Sequence, residues 1–256
     1  MKHPFRKKWG QNFLVDNNLL KKIAHTINPE YTDSILEIGP GEGALSEKIF
    51  PFVKEMIAIE IDPLLIEKLR HHELLKDLQV IKGDILLHDI EKLKISNPVR
   101  VIGNIPYNLT TPIIFWLIEQ LDYWEDAFLM VQKEVANRLI GKVSTKAYGR
   151  LTVVVGAYLD IKSKFTIPPD VFIPRPKVDS SFIHLTKKIK PLIDDKNYKK
   201  FNKIVSTAFN QRRKMLKNSM RSWDFSDQII KKIDFSRRPE TLSIKEFASL
   251  IEKKPS

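Results

Sequence analysis

A mostly parallel, doubly wound α/β sheet followed by a small, all-helical C-terminal domain is the architecture this 256-residue sequence predicts. Three observations carry it. Short apolar runs that read as buried strands alternate with helix-like patterns from Ile35 to Ile140. A glycine turn, Gly39-Pro40-Gly41-Glu42-Gly43, falls directly after the first of these runs. From Lys187 onward the chain becomes lysine-rich and helical in pattern, without strand signals.

In chain order, a basic arm (1–10) precedes a helix from about Asn17 to Ile27. Strands are expected near Ile35–Ile38, Met56–Ile61, Leu78–Ile81 and Val99–Ile102. Helices fill the gaps, including Ala44 to Phe50 after the glycine turn and Pro63–Arg70, where proline suits a first helical turn. A helix at Pro112–Leu121, a strand at Ala127–Gln132 and helices around Glu134–Ile140 and Tyr148–Tyr158 follow. Two late strands, Lys162–Thr166 and Ser180–Thr186, bracket the proline-rich loop Pro168 to Pro176. Joined without a helix, they should pair antiparallel at the sheet edge. The expected domain boundary is therefore 186/187, giving domains 1–186 and 187–256.

Charge is unevenly spread along the chain. The net +12 divides into +4 for residues 1–10, −3 for 11–186 (20 basic, 23 acidic) and +11 for 187–256 (19 basic, 8 acidic). Basic ends on a nearly neutral body suit a phosphate-backbone partner. There is no cysteine, which excludes a disulfide framework, a thiolate zinc site and a cysteine nucleophile. The start lacks the apolar stretch of a signal peptide, and no apolar run reaches the roughly 18 residues of a membrane span. A soluble, cytoplasmic monomer is the expectation. His71-His72 lacks a spaced partner set, so no metal site is expected.

The chemistry concentrates in a few segments. Ser34 to Gly43 reads as strand, tight glycine turn and helix start, the opening of a nucleotide-type unit. The next strand ends in Glu60 and Asp62, about 20 residues after the glycines, where this fold places an acid on ribose hydroxyls. A dinucleotide pyrophosphate favours a G-x-G-x-x-G turn. Here the spacing is Gly39-x-Gly41-x-Gly43, with Glu37 and Glu42 beside it. Those carboxylates suit a ligand bearing an ammonium and a sulfonium, which favours S-adenosylmethionine and methyl transfer over hydride transfer. Gly103-Asn104-Ile105-Pro106-Tyr107-Asn108 sets an amide, a rigid backbone and an aromatic ring together. Asn104 and nearby carbonyls can accept from an exocyclic amine, while Tyr107 can stack on the base.

With these segments, several others complete a resemblance to the ribosomal RNA adenine dimethyltransferases. They include Gly10-Gln11-Asn12-Phe13-Leu14, Gly83-Asp84, Gln132 to Leu139, Lys146 to Leu151, Pro174 to Ser180 and Ala208 to Lys214. The last of these, with Asn218-Ser219, resembles the small-subunit branch rather than the macrolide-resistance branch that modifies large-subunit RNA. The resemblance implies a Rossmann-like methyltransferase that dimethylates the N6 amines of two adjacent adenines near the 3′ end of small-subunit RNA in a pre-ribosomal particle. It implies that Asn12, Leu14, Gly39, Gly41, Glu60, Asp84 and Asn104 hold the cofactor. It gives Asn104, Ile105, Pro106 and Tyr107 the chemistry, and Tyr107, Phe172, Arg212, Arg213 and Lys214 the RNA. From spacing alone Asp84 also reads as a helix N-cap. Leu109-Thr110-Thr111 departs conservatively from the family's Ile-Ser-Thr, whereas Arg175 stands where the family frequently has proline, a departure that bears on local RNA contacts. A mainly non-catalytic ribosome assembly factor is the alternative from another class.

Overall fold

The computed structural model describes residues 11–251; the basic arm expected at 1–10 lies outside them. The elements are β1 (Phe13–Leu14), α1 (Asn17–Ile27), β2 (Ser34–Ile38), α2 (Ser46–Ile49), β3 (Glu55–Glu60), α3 (Pro63–Arg70) and β4 (Gln79–Lys82). Next come β5 (Val99–Asn104), α4 (Thr110–Glu119), β6 (Trp124–Gln132), α5 (Lys133–Leu139), α6 (Arg150–Gly156), β7 (Leu159–Ile167), β8 (Phe172–Ile173) and β9 (Ser180–Lys187). The chain closes with α7 (Tyr198–Asn210), α8 (Leu216–Ser219), α9 (Asp227–Lys232) and α10 (Ile244–Ser249).

The strands form one seven-stranded sheet in the order β4-β3-β2-β5-β6-β9-β7. The pairs β2/β3, β3/β4, β2/β5 and β5/β6 are parallel. Strand β9 runs antiparallel to β6, with Gln132 opposite Ser180. All five residues of β2 are buried, as expected of a central strand covered on both faces. The chain moves outward from β2 through β3 to β4, then returns to the other side of β2 with β5. This reversal makes the crevice above β2 and β5 the topological switch point, where open α/β sheets bind ligands.

Local chemistry sets the element ends. Asp16 caps α1 by accepting the Leu19 N–H at 2.7 Å, and α1 stops at Asn28, which adopts a left-handed conformation. Asp62 caps α3 in the same way, with Pro63 in the first turn. The proline-rich loop is more ordered than its composition suggests. It contributes β8, which pairs antiparallel with β1 in a separate two-stranded sheet, Phe13 opposite Ile173 and Leu14 opposite Phe172. The Val15 N–H extends this ribbon to the Val171 carbonyl at 3.0 Å.

The chain forms two compact units, residues 1–136 with 162–186 and residues 137–161 with 187–256. The expected boundary near 186 is one of the crossings. Residues 137–161, which the alternating pattern placed with the sheet, belong to the second unit. Their apolar stretch, Thr152 to Val155 of α6, is buried, and a buried helix cannot be allotted to one core or another from periodicity. In the second unit α7 buries Phe201, Ile204, Val205 and Ala208, one stripe of an amphipathic helix. Among the described residues, no helix is long and apolar enough to cross a membrane.

Candidate active site

A cavity of about 280 Å³ opens in the first unit at the carboxyl ends of β2 to β5. The sheet therefore brings Gly39, Gly41, Glu60, Asp84, Asn104 and Tyr107, drawn from 69 residues of sequence, onto one wall system. Asn12 and Leu14 of the N-terminal segment form the facing wall. The described segment is held there by a long-range bond: the Asn104 side-chain N–H donates to the Asn12 carbonyl at 2.8 Å. The β1/β8 ribbon provides the second attachment.

The glycine turn adopts positive φ at Gly39, Gly41 and Gly43. At Gly41, where φ is +61°, a side chain would be strained, and its Cβ would crowd the Phe13 ring at 3.0 Å. The Glu60 carboxylate, 3% exposed, accepts the Gly41 N–H at 3.2 Å and the Ile61 and Asp62 N–H groups at 2.8 and 2.9 Å. Burial nevertheless pushes its carboxyl above the usual range, with those three bonds opposing and Asp62 adding repulsion. Glu37 is almost fully buried on the same cavity and accepts the Ser46 hydroxyl at 2.5 Å. Burial pushes it up to about 7, the Ser46 bond pulling the other way and the Glu60 charge adding to the rise.

Asp84 is the N-cap that its spacing suggested: it caps a short 3-10 turn over Ile85–Leu87 by accepting the Leu86 N–H at 3.0 Å. It also lines the cavity. Tyr107 is half-buried, and its hydroxyl meets the Ser180 hydroxyl at 2.6 Å. Burial raises its phenol. This bond fixes the ring at the cavity from β9, so Ser180 of the Lys177-to-Ser180 motif is a supporting residue. The Pro106 carbonyl already accepts the Leu109 N–H at 2.9 Å.

Two expected RNA contacts stand elsewhere. Phe172 is 2% exposed and packs in the hydrophobic core with Leu14, Leu20 and Phe182; it is not part of the cavity lining. Its place in β8 turns it inward, so it anchors the β1/β8 ribbon rather than offering a face to a base. Arg212 is bonded within the second unit to Glu240 and to the carbonyls of Lys146 (3.0 Å) and Thr145 (2.9 Å). Arg213 and Lys214 are exposed.

Sequence reasoning gave Gln11 no role of its own. Its side-chain oxygen is buried in the cavity wall without a hydrogen-bond partner. An unsatisfied buried acceptor costs about 1–3 kcal/mol unless a donor meets it. Only its position beside Asn12 could have signalled it. Together with two buried carboxylates, Glu37 and Glu60, for which no cationic partner is found among the described residues, it defines a cavity suited to a ligand rich in donors and positive charge. S-adenosylmethionine, with an ammonium, a sulfonium, ribose hydroxyls and an adenine amine, fits that donor demand; a pyrophosphate does not. Among the described residues no cluster of His, Asp or Glu could hold a metal.

Sheet order, glycine turn, strand-end acids and the Asn104-to-Tyr107 segment together define a Rossmann-like, S-adenosylmethionine-dependent methyltransferase. A profile of the ribosomal RNA adenine dimethylase family matches residues 2–254, and the chain belongs to that family. Among its relatives, ribosomal RNA small subunit methyltransferase A of Nitrosospira multiformis is 39% identical over 98% of this chain and 96% of its own. The same-named protein of Psychromonas ingrahamii is 41% identical over 97% and 93%. Of solved structures, a dimethyladenosine transferase from Plasmodium falciparum superposes with a TM-score of 0.79 at 25% identity, covering 93% of this chain and 95% of that one. The 23S rRNA methyltransferase ErmE gives 0.68 at 25% identity, covering 93% and 98%.

Proposed function

We propose that this protein dimethylates the N6 amines of two adjacent adenines near the 3′ end of small-subunit ribosomal RNA, acting as a monomer on a pre-ribosomal particle in the cytoplasm. The observation that carries the reading is the placing of Asn104 and Tyr107 on the same cavity as the glycine turn, Glu60 and Asp84. The near full-length likeness to proteins named small subunit methyltransferase A supports the choice of RNA over the large-subunit alternative.

The cofactor supplies an electrophilic methyl on a sulfonium. Asn12 and Leu14 would close over it, Gly39 and Gly41 would let the backbone approach its methionine portion, Glu60 would take the ribose hydroxyls, and Asp84 the adenine amine. Tyr107, steadied by Ser180, stacks on the target base; such stacking contributes roughly 1–3 kcal/mol. The target amine is a weak nucleophile because its lone pair is delocalised into the ring. Asn104 donates its N–H to Asn12, so its carbonyl end is aimed by that bond and accepts from the amine. The Ile105 or Pro106 carbonyl supplies the second acceptor; that of Pro106 already takes one bond, from the Leu109 N–H. Two acceptors draw the amine toward tetrahedral geometry and localise the lone pair. Catalysis then rests on positioning and electrostatics, with the proton leaving after transfer. The second unit, with Arg213 and Lys214 exposed, holds the RNA backbone.

The test is labelled-methyl transfer to unmethylated ribosomal particles, with modified nucleosides mapped. Dimethyladenosine at adjacent 3′ positions of small-subunit RNA is expected, with Asn104→Ala reducing kcat by at least about 100-fold, the scale of losing one positioned electrostatic group. Label in large-subunit RNA, or tight binding with no label, would overturn the assignment.

A further inference from the structure

The motif Lys146-Ala147-Tyr148-Gly149 has no part in the cavity, yet the loop that carries it, residues 141–148 of the second unit, is built with unusual care. Ser144 adopts φ 65°, a left-handed conformation uncommon for serine, and its N–H donates to the Glu240 carbonyl at 2.9 Å. Arg212 grips the loop by donating to the Thr145 and Lys146 carbonyls while its charge is met by Glu240. The Tyr148 hydroxyl, buried, donates to the Leu242 carbonyl at 2.7 Å. At Gly141 a Cβ would lie 2.9 Å from the Ala147 carbonyl carbon and the Tyr148 nitrogen. A loop held at both ends and in its middle nonetheless leaves Lys142, Val143 and Lys146 exposed. Backbone strain held in place by surrounding bonds points toward a use for the loop's shape.

Beside the loop runs a groove with an apolar floor of Val143, Leu192 and Ile244, rimmed by Lys142, Lys188 and Lys245. Lys188 pairs with Asp160, whereas Lys142 and Lys245 have no carboxylate partner among the described residues. The surrounding unit is strongly basic, with 23 basic and 9 acidic side chains, a net +14. Charge complementarity therefore favours a polyanion over a second copy of this basic chain, and the RNA-modifying reading makes that polyanion RNA, whose unstacked base the apolar floor suits.

We propose that the 141–148 loop and its groove form a preorganised single-stranded RNA site, with Lys142, Lys146 and Lys245 on phosphates. Arg212 acts as a positioning residue that holds the loop rather than as a phosphate contact. This rests on the RNA-modifying reading above and adds the surface that does the holding.

The experiment is the salt dependence of binding to naked small-subunit RNA for wild type, K142Q/K146Q and R212K. The double variant should bind on the order of tenfold more weakly and lose about 1.4–1.8 from the magnitude of the slope of log K against log salt, at 0.7–0.9 per lost contact. R212K keeps its charge but loses the paired carbonyl bonds. It should weaken binding with an unchanged slope and open the loop to trypsin at Lys142 and Lys146. K76Q, an exposed site of the first unit, serves as the control, and cofactor affinity reports folding in every variant. A double variant that binds with wild-type slope overturns the proposal. Weakened binding to particles but not to naked RNA would also overturn it, assigning the loop to a ribosomal protein. R212K indistinguishable from wild type in all readouts would remove the positioning role. Wild type that binds RNA through this surface yet transfers no methyl would overturn the activity proposed above and leave this site standing.

Discussion

Glu37 is the residue whose behaviour the cavity fixes most tightly. Its carboxyl is 1% exposed, has one short bond from Ser46, and has the buried Glu60 carboxylate as its nearest charged influence. Raising a carboxyl from 4.5 to about 7 corresponds to roughly 3 kcal/mol of differential stability between its two protonation states. Because the folded value lies above the unfolded one, the favourable contribution is fully present below about pH 4.5 and is lost as pH rises through about 7. The ligand-free protein therefore carries an ionised, poorly solvated carboxylate at pH 8. Glu37→Gln removes that titration while keeping size and hydrogen-bonding capacity. Its stability relative to wild type should grow from about 1 kcal/mol at pH 5 to roughly 3 kcal/mol at pH 8. At about 2–4 °C per kcal/mol for a protein of this size, that is a Tm gap of roughly 6–12 °C. Cofactor affinity should move the other way, weakening on the order of tenfold or more, since a charge-assisted bond to an ammonium contributes about 1.5–3 kcal/mol. Melting curves across pH 5–8 and titration calorimetry with S-adenosylhomocysteine, which keeps the ammonium, read both. Parallel Tm-versus-pH curves for the two proteins, or unchanged affinity, would refute the reasoning.

Two further outcomes follow from the same geometry. Tyr107→Phe keeps the ring and loses only the Ser180 bond, so methyl transfer should fall a few-fold, whereas Tyr107→Ala should lose roughly 5–150-fold in kcat/KM, the equivalent of 1–3 kcal/mol of stacking; equal losses for both would assign the hydroxyl, not the ring, the main role. Arg100 bonds Asp126 and Asp33 at 2.9 and 2.7 Å and the Ile27 carbonyl at 2.9 Å, and Asp126 also bonds His184. Burial pushes Asp126 up, but the His184 and Arg100 bonds hold it below the usual carboxylate range, so Arg100→Met should cost about 3–5 kcal/mol in urea unfolding by stranding two carboxylates.

The sheet was legible because its signal is local. Most strands from Ile35 to Gln132 are short apolar runs with a glycine or acid at or just past their ends, and the helices at Asn17–Ile27 and Pro63–Arg70 carry their caps in sequence, Asp16 and Asp62 with Pro63. The chemistry-bearing side chains were legible for a related reason, since α/β strands deliver their C-terminal residues to one crevice. What escaped was long-range. Nothing in Phe13-Leu14 announces that it pairs with Phe172-Ile173, and without that pairing Phe172 reads as a free aromatic in a loop rather than a core residue. Arg212 sits in a basic run that reads as an RNA contact, and its partner Glu240 is 28 residues away. The Arg100 cluster joins residues 33, 100, 126 and 184, which share a place only once the strand order is known.

Charge is divided unequally between the two units. The first holds 20 basic and 22 acidic side chains, a net −2, against 23 and 9, a net +14, in the second. A nearly neutral first unit offers little net attraction to an RNA backbone, so most of the charge available to a polyanion lies in the second unit. The first unit's acids are useful where they are buried. Glu37 and Glu60 lie at low dielectric on the cavity, where they favour a ligand carrying positive charge. Methyl transfer turns a sulfonium into a neutral sulfide, so the same carboxylates hold the spent product less firmly than the methyl donor. A reaction repeated on each amine gains from that difference, because the donor then displaces the spent product more readily.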